Sequence, residues 1–353
     1  MREAARLGTT HPSFELASET LWRLVRVSIS DTTVWRQHGE VSQRIEAMLR
    51  EEEAVASRIA QRGEARQSER IGPRDPISEH VSVSIDGVTV LIRDQGYKEV
   101  KMVAVSEARV TEPKPAETTR LTDRQGTESE SEQTEAGGEG QRSENRGRQD
   151  GLKLGRHSYR AILGDKVAFS PVLAAELAVR RVHRAIKVTT VNDGSDWIWD
   201  LALTHLPAQR VEVLDWPHGM VHIWKAGQAG LGVGTELTRA WVMERETELW
   251  EGRVTDVQAA LKKLPRRRGE RGKAIRQVRE YVATHGQRME YARYREEGRP
   301  IGSGTIESGA KNVVAWRMKR GGQSWGDTGA LRMLAALGEV HSLRWDARLA
   351  EAA

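Results

Sequence analysis

Residues 81–92 read VSVSIDGVTVLI, and the fold turns on how this run is taken. Apolar and polar side chains alternate up to Ile85, which puts Val81, Val83 and Ile85 on one face of a strand. Ser82, Ser84 and Asp86 fall on the other. The pair Asp86-Gly87 then poses a choice. Asp-Gly between alternating apolar runs signals a tight hairpin turn, with Asp86 as a turn former. If the strand runs on instead, Asp86 points from the polar face and Gly87 lets another group approach the backbone. Pattern alone favours the turn.

Working outward, YKEVKMVAVSEARV (97–110) is a second extended run. Later come a helix containing SPVLAAELAVRRVHRA, the short strand IKVTTVND, a helix in DGSDWIWDLALTHL and a further strand in RVEVLDWPH. Two early strands followed by strand–helix alternation predict an α/β sheet of mixed direction. Residues 1–75 form an N-terminal helical region. In it, ELASETLWRLVRV has helical spacing, and a second helix starts at the Ser/Asp/Thr cap of SISDTT. A helix, a short turn and a helix are compatible with a DNA-reading helix-turn-helix or with an ordinary helical hairpin. Residues 219–298 read as helical, with the basic stretch KKLPRRRGERGKAIRQVR and with Trp224, Trp241 and Trp250. Core packing is the plainer role for those indoles, and stacking on a splayed base is the alternative.

The chain has 353 residues, 38% hydrophobic and 30% charged, with a formal charge of +5 and a pI near 9.5. A core can form, and the balance favours an anionic partner. There is no cysteine, which excludes disulfides and thiolate metal sites and leaves carboxylate, imidazole and carbonyl ligands. No apolar run reaches the ~18 residues of a membrane span, and the N-terminal stretch has no signal-peptide hydrophobic core. A soluble, intracellular protein is expected. Residues 112–150 hold ten acidic and six basic side chains and almost no large apolar ones. That composition predicts a disordered acidic insert and leaves the rest of the chain at +9.

Four acidic positions invite attention. Asp86 is the first. Asp193 follows an apolar strand, where ligands bind in open α/β sheets, but could equally cap the next helix, a role Ser195 and Asp196 could also fill. Glu307 lies in RPIGSGTIESGAKNVVAWRMKRGG (299–322), a glycine-loosened turn leading into a helix with Lys311, Arg317, Lys319 and Arg320 beyond. Its plain reading is an i,i+4 ion pair with Lys311. Its functional reading is a metal held beside a polyanion. Asp215 and His218, three apart after a strand, could orient a ligand or contact a phosphate.

Taken together, VSVSIDG, YKEVK, VNDGSDWIW, VEVLDWPH and the block RMEYARYREEGRPIGSGTIESGAKNVVAWRMKRGGQSW resemble the DDE transposases of bacterial insertion sequences. The likeness is to the ISKra type, relatives of the Mutator-like group, over roughly residues 10–346 apart from the acidic insert. The resemblance implies an RNase H-like mixed sheet flanked by helices, with residues 76–111 and 151–218 as the first two parts of the core. Residues 299–353 would be its C-terminal helices and 219–298 an inserted helical region. It further implies Asp86, Asp193 and Glu307 as a catalytic triad holding two Mg²⁺ ions, with Mn²⁺ able to substitute, and Asp215 and His218 as supporting residues. Lys311, Arg317, Lys319, Arg320, Arg266, Arg267 and Arg268 would then neutralise DNA phosphates. The implied partners are double-stranded DNA (terminal inverted repeats and target) and further copies of the chain, near the nucleoid and without a membrane. Family members usually start earlier, often with a cysteine-containing segment. The expectation is therefore a truncated copy, and the rival reading is a non-catalytic DNA-binding remnant.

Overall fold

The computed structural model describes residues 2–62, 77–111 and 151–351; the acidic insert expected over 112–150 lies outside them. The chain divides into two compact units. One comprises Met1–Glu107, Leu154–Glu212 and Ser303–Ala353, and the other Ala108–Lys153 and Val213–Gly302. Among the described residues no helix is long and apolar enough to cross a membrane.

A five-stranded mixed sheet carries the fold, built from β1 (His80–Ile92), β2 (Gly96–Val110), β3 (Leu152–Leu163), β4 (Lys187–Asn192) and β5 (Val211–Leu214). Its order is β3-β2-β1-β4-β5. β1 is the central strand, antiparallel to β2 and parallel to β4. The turn predicted at Asp86-Gly87 is not there. β1 runs through it, with Asp86 opposite Met102 and Gly87 opposite Lys101. The alternation resumes as VTVLI, and the chain reverses through residues 93–96, where Asp94 (φ 62°) and Gly96 (φ 75°), the first residue of β2, take left-handed backbone. Ser82 and Ser84, assigned to a polar face, are buried, because a central strand is covered on both sides.

Two cores sandwich β1. On one face Val81, Val83 and Ile85 join Val103, Val105 and residues of α4 (Lys166–Val179) and α5 (Asp196–His205), among them Phe169, Leu173, Ile198 and Leu201. On the other, Val90, Ile92 and Met102 pack against two C-terminal helices. The first is a helical run, α11, made of Gly304–Gly309, a π-turn over Ala310–Ala315, and Trp316–Met318. The second is α12 (Asp327–His341). Its residues Met333, Leu334 and Leu337 contribute to that core.

The N-terminal helices are α1 (Arg2–Thr10), α2 (Phe14–Val25) and α3 (Asp31–Arg62). Val34 of α3 meets Ala4, Ala17 and Leu21. Ile45 and Leu49 meet Ala336, Val340 and Trp345, and Ala56 meets Ala175 and Val179. The apolar stripe of α3 is thus committed to the interior along its length. Any contact it makes with DNA has to come from its opposite face.

Behind the β3 edge lies a buried ion network. Glu176 of α4 receives two N–H bonds from Arg344 at 2.9 and 3.0 Å and pairs with Arg160 of β3 at 3.3 Å. Glu52 of α3 pairs with Arg160 and with Arg348 of α13 (Trp345–Glu351). Arg348 also donates to Glu339 of α12 at 2.8 Å.

The second unit is helical: α6 (Trp216–Leu231), α7 (Glu236–Trp250), α8 (Val254–Lys263), α9 (Gly269–His285) and α10 (Tyr291–Glu296). Trp216 is fully buried between the edges of Trp250 and Tyr291, at ring-centroid distances of 5.4 and 4.8 Å. Trp250 is covered by the Arg295 guanidinium at 3.6 Å. Packing therefore accounts for Trp250.

Burial alone would raise the Glu176 carboxyl, but Arg344 and Arg160 outweigh it and hold it down at about 2, against an ordinary 4.5. A depressed carboxylate pKa adds stability above pH 4.5 that is lost as the pH falls toward 2. Urea unfolding followed against pH should show that loss. Glu176→Gln should cost about 3–5 kcal/mol at pH 7 by stranding buried guanidiniums, and should flatten the pH dependence.

Candidate active site

The register of β1 and β4 does most to assemble the site. Val81 lies beside Val188 and Val83 beside Thr190, so the same spacing sets Asp86 level with Asp193, the first residue past β4. The Ile85 N–H donates to Asn192 Oδ1 at 2.7 Å, which locks this level one residue short of the acids. Opposite residues of an antiparallel pair share a face, and the partner of Asp86 is Met102. Met102 belongs to the core formed with Ile306, Val313 and Val314 of α11. Asp86 therefore sits on the sheet face that α11 covers.

Each carboxylate is held differently. Asp86 Oδ1 accepts from the Gly87 N–H at 2.7 Å. Asp193 does not cap α5. Its Oδ1 accepts from the Ser195 N–H at 2.9 Å and its Oδ2 from the Ser195 hydroxyl at 3.1 Å, while Ser195 occupies the cap position without a side-chain bond to the helix backbone. The loop thereby holds Asp193 in one orientation. Glu307 follows Ile306 in the first turn of α11, where the Ile306 and Glu307 N–H groups both donate to the Ser303 carbonyl, at 2.9 and 3.3 Å.

Glu307 is half-buried, and the ion pair with Lys311 expected from their spacing is not made. A π-turn begins at Ala310. It widens the helix to i→i+5 bonding, and a residue four positions on no longer lies directly above. A half-buried carboxylate without a cation is costly to desolvate.

All three are oxygen donors, the class that hard divalent cations prefer. Their oxygens do not all fall within 4.8 Å of one another. One ion with ~2.1 Å bonds cannot hold three groups so spaced, whereas two ions 3.5–4 Å apart reach across about 8 Å. In chemistry, three carboxylates suit hard divalent cations.

Asp215 and His218 belong to the helical unit. Asp215 is fully buried and caps α6, its Oδ2 accepting the His218 N–H at 3.0 Å. The same oxygen lies 2.6 Å from His218 Nδ1. This contact puts the ring proton on Nδ1 and turns Nε2 into the acceptor. Burial first, then the Asp215 charge, pushes the nearby Tyr291 hydroxyl well up, so it stays a donor, here to the Leu214 carbonyl at 3.1 Å.

The basic residues separate into two groups. Lys311, Lys319, Arg320, Arg266 and Arg268 are exposed. Arg267, also exposed, directs its guanidinium at the Gly230 carbonyl at 3.0 and 2.7 Å, near the C-terminal end of α6. Arg317, expected beside its neighbours on the DNA-facing surface, is 3% exposed and turns inward. Three aromatic side chains that sequence reasoning had no cause to single out, Phe14, Trp35 and Trp325, line the cavity it enters. They come from segments far apart in the chain, so no local signal links them.

No protein-family model matches this chain, and no curated protein matches it.

A Cβ at Gly309 would lie 2.7 Å from Tyr159 Cε1 and 2.8 Å from Met102 Cε. Gly309→Ala should therefore lift the start of α11 off the sheet. The expected cost is about 1–3 kcal/mol in thermal or urea unfolding, with any activity that needs Glu307 falling further than stability alone explains.

Proposed function

We propose that the protein is a DDE-type DNA transposase that cuts phosphodiester bonds at insertion-sequence ends and transfers the freed strands to target DNA. The observation that supports this reading is the β1–β4 register, paired as far as Val83 and Thr190; carried on at the same spacing it brings Asp86 level with Asp193, on the face covered by the helix bearing Glu307. An RNase H-like reading of the mixed sheet draws support from the same three positions: the first acid on β1, the second just past β4, the third on a late helix.

In the first step, water attacks phosphorus in line and the 3′-oxygen leaves, giving a 5′-phosphate and a 3′-hydroxyl. In the second, that hydroxyl attacks a target phosphodiester, forms a new P–O bond and expels the target 3′-oxygen. Asp86, Asp193 and Glu307 would hold two Mg²⁺ ions, or Mn²⁺ in their place. When bound, such ions lower the pKa of the attacking oxygen and stabilise the leaving one. The protein's own work is positional. The strand register fixes two carboxylates side by side, the Ser195 bonds hold Asp193 in orientation, and α11 delivers the third.

Lys311, Lys319 and Arg320, exposed on and just after α11, would neutralise phosphates near the scissile bond. Arg266 and Arg268, exposed on the helical unit, would neutralise DNA phosphates there. Capture of two DNA ends would call for a second copy of the chain, and such a protein works at the nucleoid. Within the helical unit, the Asp215–His218 pair presents an oriented imidazole.

The test is a nicking assay with the full chain, DNA carrying the element's own terminal repeats, and Mg²⁺ or Mn²⁺. Cleavage should require the metal and vanish in Glu307→Ala. Metal-independent binding with no cleavage by the wild-type chain would overturn the enzymatic reading in favour of a DNA-binding remnant. In the same preparation, Lys319→Ala with Arg320→Ala should lower the slope of log affinity against log salt by about 1 for each phosphate left without its cation.

A further inference from the structure

Arg317 breaks the rule that buried charge is paired. It has one long bond, from Nε to the Gly8 carbonyl at 3.4 Å. Its guanidinium lies between the rings of Phe14 and Trp325, at 4.9 and 5.1 Å, and no carboxylate of the described residues pairs with it. The remaining donors face a cavity of about 700 Å³, a size typical of small-ligand sites. Its walls come from the start of α2, from α3, from the β1–β2 turn and from the loop ahead of α12.

The lining is lopsided in charge. Arg36, Arg93, Arg317 and Arg332 contribute, against the single carboxylate of Glu40. Arg332 is engaged through its Nε by Glu46 at 3.5 Å, a contact outside hydrogen-bond geometry, and its side chain also lines the cavity. His38, in the same wall, is buried and its Nε2 has no partner. Burial first, then Arg317 and Arg332, holds its ring down at about 4, so it is a neutral polar group at pH 7. These are the features of a site waiting for an anion. Trp35 adds something an inorganic anion does not need: an indole on the rim, 60% exposed.

We propose that this cavity binds a nucleoside phosphate unit, with the phosphate on Arg317 and Arg332 and the base stacked on Trp35. The same chemistry is offered by a free nucleotide and by one nucleotide splayed out of a DNA strand. The site uses none of the three carboxylates, so it stands apart from the cleavage reading.

Equilibrium binding to the full-length chain tests this with three probes: inorganic phosphate, a deoxynucleoside monophosphate, and a short single-stranded oligodeoxynucleotide. A nucleotide-bearing probe should bind more than about tenfold tighter than phosphate. Trp35→Ala, a change at an exposed position, should weaken it by about 5- to 150-fold, the range measured for loss of one base–aromatic stack. Arg317→Met should weaken it at least as much, and Glu307→Gln should leave it unaltered. Binding of the monophosphate assigns the site to a free nucleotide, and binding of the oligonucleotide alone assigns it to a strand. If Arg317→Met fails to fold by circular dichroism, Arg332→Gln takes its place. The proposal is overturned if phosphate binds as well as the nucleotide, if none of the three probes binds, or if the Trp35 and arginine variants bind like the wild type.

Discussion

Three carboxylates sealed against three guanidiniums behind the sheet edge hold the first unit to one arrangement. Glu52, Glu176 and Glu339 come from three helices, and Arg160, Arg344 and Arg348 from an edge strand and the C-terminal segment. Such a set is weak evidence for stability, because desolvation consumes most of the Coulombic gain. Its effect is exclusive: any shift of one helix leaves a buried charge unmatched. α4 belongs to the core on one sheet face and α12 to the core on the other. The ion network joins them around the β3 edge, so neither layer can slide without the other.

Within that frame the central strand does the positioning. β1 is covered on both faces, and its bonds to β4 fix which residues stand side by side. Carried three residues further, the pairing of Val83 with Thr190 brings Asp86 level with Asp193. Glu307 depends on a different contact, the seating of Ile306 and Gly309 on the sheet. Asp86 is thus positioned by backbone register and Glu307 by side-chain packing, which makes α11 the more adjustable element.

The strands β1, β2, β4 and β5 were legible because apolar alternation or short apolar runs survive in them. The Asp86-Gly87 pair misleads because turn chemistry is local, whereas the strand continues on the strength of bonds to β2 and β4 that no short window contains. β3 leaves no such trace. Its Ser158 and Arg160 are buried on ionic partners, so polar residues stand where apolar ones would mark a strand. The acids of the candidate site were named through the resemblance: Asp193 sits just past a strand and Glu307 in a glycine-rich helix entry, but Asp86 lies in mid-strand, where pattern alone read a turn. Arg317 could not be separated from Lys319 and Arg320, because what buries it is Phe14, some three hundred positions away in the chain.

The π-turn over Ala310–Ala315 is equivalent to one residue added to an α-helix. Each residue of an ordinary helix advances the side chain by about 100°, so this extra one sets the angular phase between Glu307 before it and Arg317 after it. Deleting a single residue there would yield a more regular helix and a worse protein. With Ile306 seated, Arg317 would swing off Phe14 and Trp325; with Arg317 seated, Ile306 and Glu307 would rotate out of their present positions. An irregularity of one residue is what allows a single helix to serve two places at once.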